Sequence, residues 1–460
     1  MQLRTGLLHR RTTATPLDRV RTVDVTASVL HRVLGLAKVD IGTGSQQLNS
    51  GLSLDSLPAA AAAALRAELL HRSAAVSVDA PAAAAFGGGS QADDIAPGID
   101  DTEDATRDDT RDDTRDDALD DTELARLDLR WVRFAPFTMS GVLGAAAILG
   151  VGSRLLDQFD IKPDEVGAVN GALDYLHRTP IWLDVVQALV AFTAFVVALS
   201  IGGYVLSYWG FRLSRHAQGT LHITRGLLTT RATSIEERRL RGVELSEPLL
   251  LRAVHAARLN GITTGLKGQG GDAAGSSLLL PPAPLAVARD VATQVLRDPA
   301  PLEVQLHAHG PAARRRRFSR ALLGSFVLVA AAGVASWFGG PLWLWLPAVA
   351  TIPVAAMLGA DRYRSLGHAL VGGCLVTRQG CFDRRRAVLQ CDGIIGWNLG
   401  QTFFQRRAGL ASLTATTAAG AQGYTVADVP LPIALSLGSR ALPGLLGEFL
   451  ESDPSPDGGA

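Results

Sequence analysis

Three times along the chain, strand-like segments run up to a glycine and resume beyond it. Thr220–Arg225 alternates between apolar and polar positions. Gly226 then supplies a turn, because a residue without Cβ tolerates positive φ, and residues 227–233 continue as a hairpin partner. Val376, Thr377 and Arg378 approach Gly380 in the same way, with one extra residue, Gln379, just ahead of the glycine. Downstream of each copy comes an amphipathic stretch of helical period opened by proline, a residue suited to the first helical turn. These stretches are residues 58–73, 284–297 and 432–451, the last interrupted by Pro443. The predicted unit is several strands followed by a helix, which makes a small sheet or barrel closed by a C-terminal helix.

The copies align without a gap over residues 6–44, 226–264 and 380–418. Gly6, Gly226 and Gly380 superpose, as do Val20, Leu240 and Ile394; Val23, Val243 and Trp397; Leu30, Leu250 and Phe404; Arg32, Arg252 and Arg406; and Val39, Leu259 and Leu413. Spacings of 220 and 154 residues are too long for a solenoid, so each copy is read as the middle of a separate domain. A chain of 460 residues has room for about three or four domains, and the repeat indicates three.

A different pattern lies between the copies. Residues 134–153, 185–211 and 321–360 carry no charge, and about twenty largely apolar residues cross a bilayer as a helix. Gly339, Gly340 and Pro341 cut the longest stretch near its middle, which predicts a tight hairpin. Trp337, Trp343 and Trp345 fall where an interfacial aromatic belt belongs. The expectation is four spans in two hairpins. Arg130 and Arg133, Arg212 and Arg215, Arg314 to Arg317 with Arg320, and Arg362 and Arg364 flank the spans on one side. The loop 154–184 has three basic and six acidic residues. The excess of basic residues on cytoplasmic loops then places the three repeats and both termini in the cytoplasm of a multi-pass cell-membrane protein. The sequence after Met1 is polar and arginine-bearing, without the apolar core of a cleavable signal.

Formal net charge is zero, but residues 93–123 hold fifteen acids against Arg107, Arg111 and Arg115, leaving minus twelve there and plus twelve elsewhere. This low-complexity linker has too few apolar residues to offset chain entropy by burial and is expected to be a disordered, solvated spacer. Cys374, Cys381 and Cys391 are odd in number and fit neither a disulfide framework nor a metal site, which agrees with a reducing, cytosolic setting. His307 and His309 have no carboxylate or cysteine at ligand spacing. Gly265, Gly268, Gly270 and Gly271 around Lys267 lack the strand-to-helix context of a phosphate loop, and no nucleophile elbow is present. Asp184 and Gln187, the polar residues near the spans, are placed at the outer interface. No catalytic residue, cofactor or metal is expected, and the chain is read as non-enzymatic.

Paired membrane helices followed by Gly226, Leu227, Leu228, then Ser234, Ile235, Glu236, Arg238, Arg239, Leu240 and Val243 resemble the bacterial pleckstrin-homology-like domain of the DUF304 (bPH2) membrane proteins. The first copy carries the pattern in residues 16–23, then Leu34, Gly35 and Leu36. The third carries Val388, Leu389, Gln390, Ile394 and Trp397, then Ala408, Gly409 and Leu410. The second departs from it with Val254, His255 and Ala256 where Leu-Gly-Leu is expected. The resemblance implies an α+β membrane protein of three PH-like antiparallel β domains, each with a C-terminal helix, alternating with two transmembrane hairpins. Met1 aligns with Leu221, so the first copy is read as N-terminally truncated, either because the start is internal to the gene or because the gene is truncated. The division that follows is a truncated PH-like domain 1 at 1–75, the acidic linker at 76–128, and two transmembrane helices at 129–211. PH-like domain 2 occupies 212–300, a basic linker 301–320, two further transmembrane helices 321–360, PH-like domain 3 361–452 and a disordered tail 453–460.

The basic clusters are the best functional candidates. Arg238, Arg239 and Arg241 in the second copy and Arg384, Arg385 and Arg386 in the third lie on predicted strands near a membrane, where anionic headgroups attract each by about 1 kcal/mol. The expected partners are the lipid bilayer and either a second copy or another membrane protein, with no nucleic acid. The leading reading is a set of cytoplasmic interaction or assembly modules. The alternative is a small-solute or lipid transporter or channel subunit built from the helix pairs.

Overall fold

A computed structural model describes residues 2–5, 11–14, 22–42, 52–62, 64–65, 122–138, 141, 143–148, 150, 154, 180–216, 219–264 and 276–443. The linker before residue 122, most of the loop 154–184, the glycine-rich segment 265–271 and the tail 453–460 lie outside the described residues.

Each repeat divides into two halves. In repeat 1 the first half is the hairpin β1 (Gln2–Thr5) and β2 (Arg11–Ala14). The second half is β3 (Thr22–Ala27), a one-turn helix α1 (Val29–Val33), β4 (Leu36–Gly42) and β5 (Leu52–Pro58), followed by helical residues 59–62 and 64–65. Repeat 2 opens with β6 (Thr122–Arg126) and, after α2 (Ile181–Tyr208), has β7 (Arg212–His216), β8 (Thr220–Arg225) and β9 (Thr230–Glu236). Its second half is β10 (Leu240–Pro248), α3 (Leu249–Ala253), β11 (Ala256–Thr263), β12 (Ser276–Pro284) and the C-terminal helix α4 (Leu285–Leu296). A short α5 (Ala300–Glu303) leads to two long helices, α6 (Gly310–Trp337) and α7 (Trp345–Arg364). Repeat 3 then runs β13 (Gly367–Val371), β14 (Cys374–Gln379), β15 (Asp383–Gln390), β16 (Gly396–Gly400), α8 (Phe403–Arg407), β17 (Leu410–Thr416), β18 (Gly423–Pro430) and α9 (Leu431–Ala441).

The repeat register accounts for local geometry. Gly226 and Gly380 have φ of 109° and 107°, and a Cβ at either would run into the carbonyl three residues on, Thr229 O or Asp383 O. The one-turn helices occupy identical places in all three copies, and each ends on a left-handed residue: Gly35 at φ 67°, His255 at 55° and Gly409 at 65°. Each of these carbonyls accepts a hydrogen bond from the residue that opens the C-terminal helix, Ala59 N at 2.9 Å, Leu285 N at 2.9 Å and Leu431 N at 3.1 Å. His255 therefore does the work of the motif glycine despite its Cβ, a conformation that is uncommon outside glycine.

The sheets are not confined to single repeats. One seven-stranded sheet runs β5-β4-β3-β9-β8-β7-β6, joining the second half of repeat 1 to the first half of repeat 2. A six-stranded sheet runs β12-β11-β10-β15-β14-β13 and joins repeat 2 to repeat 3 in the same way. The two junctions share one register: Val23 lies opposite Ser234 and Val243 opposite Val388, and the partners are related by the repeat spacings of 220 and 154. The sequence had suggested one sheet or barrel per domain; each unit instead lends an edge to its neighbour. Successive side chains of a strand point to opposite faces. On β15, Val388 enters the core built mainly from repeat 2, while Ala387 and Leu389 enter the core of repeat 3. Burial on both faces explains the unbroken apolar run there.

Two sequence expectations need correction. Thr122–Arg126, assigned to the linker, is strand β6 paired with β7, because Leu124 and Ala125 are buried against the repeat 2 core. The first expected span does not begin at Phe134. Residues 129–137 form a 3-10 helix capped by Asp128, and its Trp131, Phe134 and Ala135 are buried in that same core. Beyond it, Gly141 lies so close to α2 that a Cβ would come within 2.6 Å of Ser200 Cβ and of Val196 O. Helices Trp182–Tyr208, Gly310–Trp337 and Leu342–Arg364 are each long and apolar enough to cross a membrane. They expose Trp182, Leu189, Leu323, Phe326, Leu346 and Met357 by more than half, which suits lipid contact. Helices α6 and α7 pack as a pair, with Ser325 Oγ donating to Thr351 O at 3.2 Å and Trp345 Nε1 to Ser336 Oγ at 2.9 Å. The bend between them falls at residues 338–341, where the glycines and proline had placed it.

Candidate functional site: an arginine cleft between repeats 2 and 3

The candidate arginines separate into different environments. Arg238 and Arg239 lie on the 3-10 turn Glu237–Arg239, with Arg239 paired to Glu236 at 2.9 Å. Arg241 reaches across the repeat junction to Asp392 at 3.0 Å. Arg385 joins Glu244 at 3.7 Å across the same junction and Asp383 at 2.7 Å. Arg384 binds Asp361 at 3.3 Å and Ser365 Oγ at 3.2 Å at the foot of α7. Arg386 donates to Pro301 O at 2.8 Å and Val304 O at 3.2 Å.

Arg384 and Arg386, two residues apart on one face of β15, converge with three arginines that the sequence did not single out as contacts. Arg252 comes from α3, Arg289 from α4 and Arg378 from β14, and the five line a cleft of about 270 Å³ with His255, Leu285 and Glu247. Four elements from two repeats thus supply the five arginines. Two carboxylates oppose the five guanidinium groups: Glu247 in the lining and Asp361 beside it, the latter bound by both Arg252 at 3.1 Å and Arg384. Arg378 hydrogen-bonds the carbonyls of Ser365 at 3.4 Å and Arg364 at 3.0 Å, which ties the cleft to the end of a membrane helix.

Within this cleft positive charge is under-compensated. Arg378 stands directly opposite Arg386 in the β14–β15 register, a like-charge pairing that destabilises a sheet. Burial, and then the charges of Arg378 and Arg289, push Arg386 down to about 10, with Glu247 opposing. Burial and Arg384 likewise lower Arg378. Arg386 Nε is buried without a hydrogen-bond partner among the described residues. An anion placed among these groups would relieve the repulsion and supply acceptors for planar donors suited to phosphate.

Among the described residues the histidines and cysteines form a different arrangement. His309 Nδ1 lies 2.8 Å from Ala427 O and its Nε2 3.0 Å from His368 Nδ1, while His307 pairs with His368 through the backbone. Among the described residues no group of three or more His, Cys, Asp or Glu could hold a metal. Burial pushes the Cys374 thiol up to about 11 and also raises Cys381 and Cys391, the reverse of what an activated nucleophile needs.

With fold and cleft established, the sequence is compared with known proteins. The sequence profile described as "Bacterial PH domain" matches residues 1–73, 166–298 and 320–440, which together make up more than half of the chain. No curated protein and no solved structure matches it. The three matched segments each contain one copy of the repeat, and the chain therefore belongs to the bacterial PH-domain family, as a multi-repeat member with membrane-spanning helices.

Proposed function

We propose that this protein is a non-enzymatic membrane scaffold whose cytoplasmic PH-like repeats serve as interaction and assembly modules, and that the cleft between repeats 2 and 3 holds an anionic lipid headgroup. In this reading two transmembrane hairpins thread the repeats, with both termini cytoplasmic. The observation that carries it is the convergence of five arginines against two carboxylates at the foot of α7, where a headgroup phosphate would lie. Arg362 and Arg364 at the end of α7 extend the same basic surface toward the bilayer.

Lipid retention by the full-length chain, read by native mass spectrometry from detergent, tests this. Because each basic side chain near the surface contributes about 1 kcal/mol, R289A together with R378A is expected to weaken phosphatidylglycerol binding roughly thirty-fold and leave phosphatidylcholine unchanged. Competition by inorganic phosphate at equal concentration would point to a soluble anion instead. Retention of phosphatidylglycerol equal to that of the unaltered chain would refute a headgroup site.

A further inference from the structure

Strands β16 and β2 are edges of their sheets, whereas their counterparts in the other repeats are interior. In the repeat register β16 corresponds to β3 and β10, both of which pair with a strand of the next repeat. Strand β2 corresponds to β9 and β15, both of which pair with a strand of the preceding repeat. Among the described residues β16 borders only β17, and β2 borders only β1. By contrast, β5, β12 and β18 are equivalent to one another and form an edge in every repeat. Among the described residues there are therefore two completed copies of one junction and, on β16 and β2, the unmatched halves of a third.

The open half of that junction has the character of a covered surface. Leu245 on β10 is 1% exposed with β15 alongside, whereas Leu399, its equivalent on β16, is 40% exposed. Ile395 is 66% exposed, and Trp397 Nε1 is buried without a partner among the described residues. At the completed junction Gly242 lets the neighbouring backbone approach so closely that a Cβ would run into Val388 O, and β16 also has glycine, Gly396, at this point. At the completed junction Leu249 N donates to Phe382 O, so strand alternation turns the N–H groups of Val243 and Leu245 toward β15, and their equivalents Trp397 and Leu399 turn their N–H groups toward the open side of β16.

We propose that β16 of one copy pairs antiparallel with β2 of a second copy, with Trp397 opposite Ala14 and Leu399 opposite Thr12, so that the chains join head to tail. The register is that of the two internal junctions carried on by the same spacings. Succession of repeats decides the occupant. Repeat 1 hands an edge to repeat 2 and repeat 2 to repeat 3, so the same step from repeat 3 calls for another first half, which a second copy supplies. Such a heterologous contact generates a ring where the rotation closes and a filament where it does not. It rests on strand pairing alone and is independent of the arginine cleft.

Cysteine cross-linking of the full-length chain in its membrane tests the register. Cys374, Cys381 and Cys391 are first changed to Ala; one tagged population carries Thr12→Cys and a co-expressed, differently tagged one Leu399→Cys. These positions form a hydrogen-bonded pair, whose Cα separation of about 5.5 Å lies in the range a disulfide spans. Oxidation is expected to give a product bearing both tags. Ala14→Pro in the Thr12→Cys population, which removes one N–H facing the neighbouring copy at an edge where proline is tolerated, is expected to lower that product roughly ten-fold. Absence of the mixed product, equal self-linking of Leu399→Cys alone, or closure of a doubly substituted chain on itself would each overturn the proposal. Mass photometry of the unaltered chain in detergent is the second measurement: multiples of the chain mass are expected, and a strict monomer contradicts it.

Discussion

Asp428 is 1% exposed and lies between two cations, with Oδ1 against Arg316 and Oδ2 2.6 Å from Arg317, while Gln405 Nε2 donates to Oδ1 at 2.8 Å. It fastens the third repeat to the base of α6. Removing one partner of a buried pair leaves the other charge uncompensated, which costs about 3–5 kcal/mol. Asp428→Asn is accordingly expected to lower the unfolding midpoint of the purified chain clearly, and Arg317→Met by less, because Asp428 keeps Arg316. Equal midpoints for both variants and the parent would contradict this. At this scale the turn glycines were legible in the sequence, since positive φ at Gly226 and Gly380 is a local backbone property. The cleft was only half legible. Arg384 and Arg386 stood out as a run, whereas Arg252, Arg289 and Arg378 lie far apart in sequence and meet through folding. Alignment of Arg252 with Arg32 and Arg406 was the available signal, and Arg32 also crosses a junction, donating to Leu227 O at 2.8 Å.

Between elements, the histidine contact of β13 with the entry to α6 makes stability depend on pH. Burial, with His309, His307 and Arg440 nearby, pushes His368 down to about 4, and burial lowers His309 although its bond to Ala427 O opposes this. Both rings are therefore neutral in the fold at pH 7. An unfolded histidine titrates near 6.5, so between about pH 6.5 and 4 the unfolded chain binds more protons. Stability from this contact is full above pH 6.5 and is lost as pH falls toward 4, by up to about 3 kcal/mol for His368. His368→Gln is expected to flatten the fall in unfolding midpoint between pH 7.5 and 5; an unchanged slope would refute the assignment. The spans show the limit of reading elements from composition. An uncharged run cannot distinguish a lipid interior from a protein interior, and Phe134 lies in the latter. The bend at Gly339, Gly340 and Pro341 was readable because it depends on those residues alone.

On the scale of the whole molecule, the gapless repeat takes on a physical meaning. In the second copy, residues 226–264 contain β9, which pairs backward with repeat 1, and β10, which pairs forward with repeat 3. An insertion between those two strands would shift one junction against the other, and a slip of one residue turns every side chain to the opposite face. This accounts for constant length there, while the segments outside the block differ between copies. Pairing across repeats was not legible, because strand patterns show which face is apolar and not whose edge a strand meets. A cryo-EM map of the detergent-solubilised full-length chain tests this account most directly. It is predicted to show one continuous sheet through β10 and β15, with Val243 opposite Val388, and β16 continued by a strand of a neighbouring copy. Repeats closed on themselves, with β10 beside β9 of its own repeat, would contradict it.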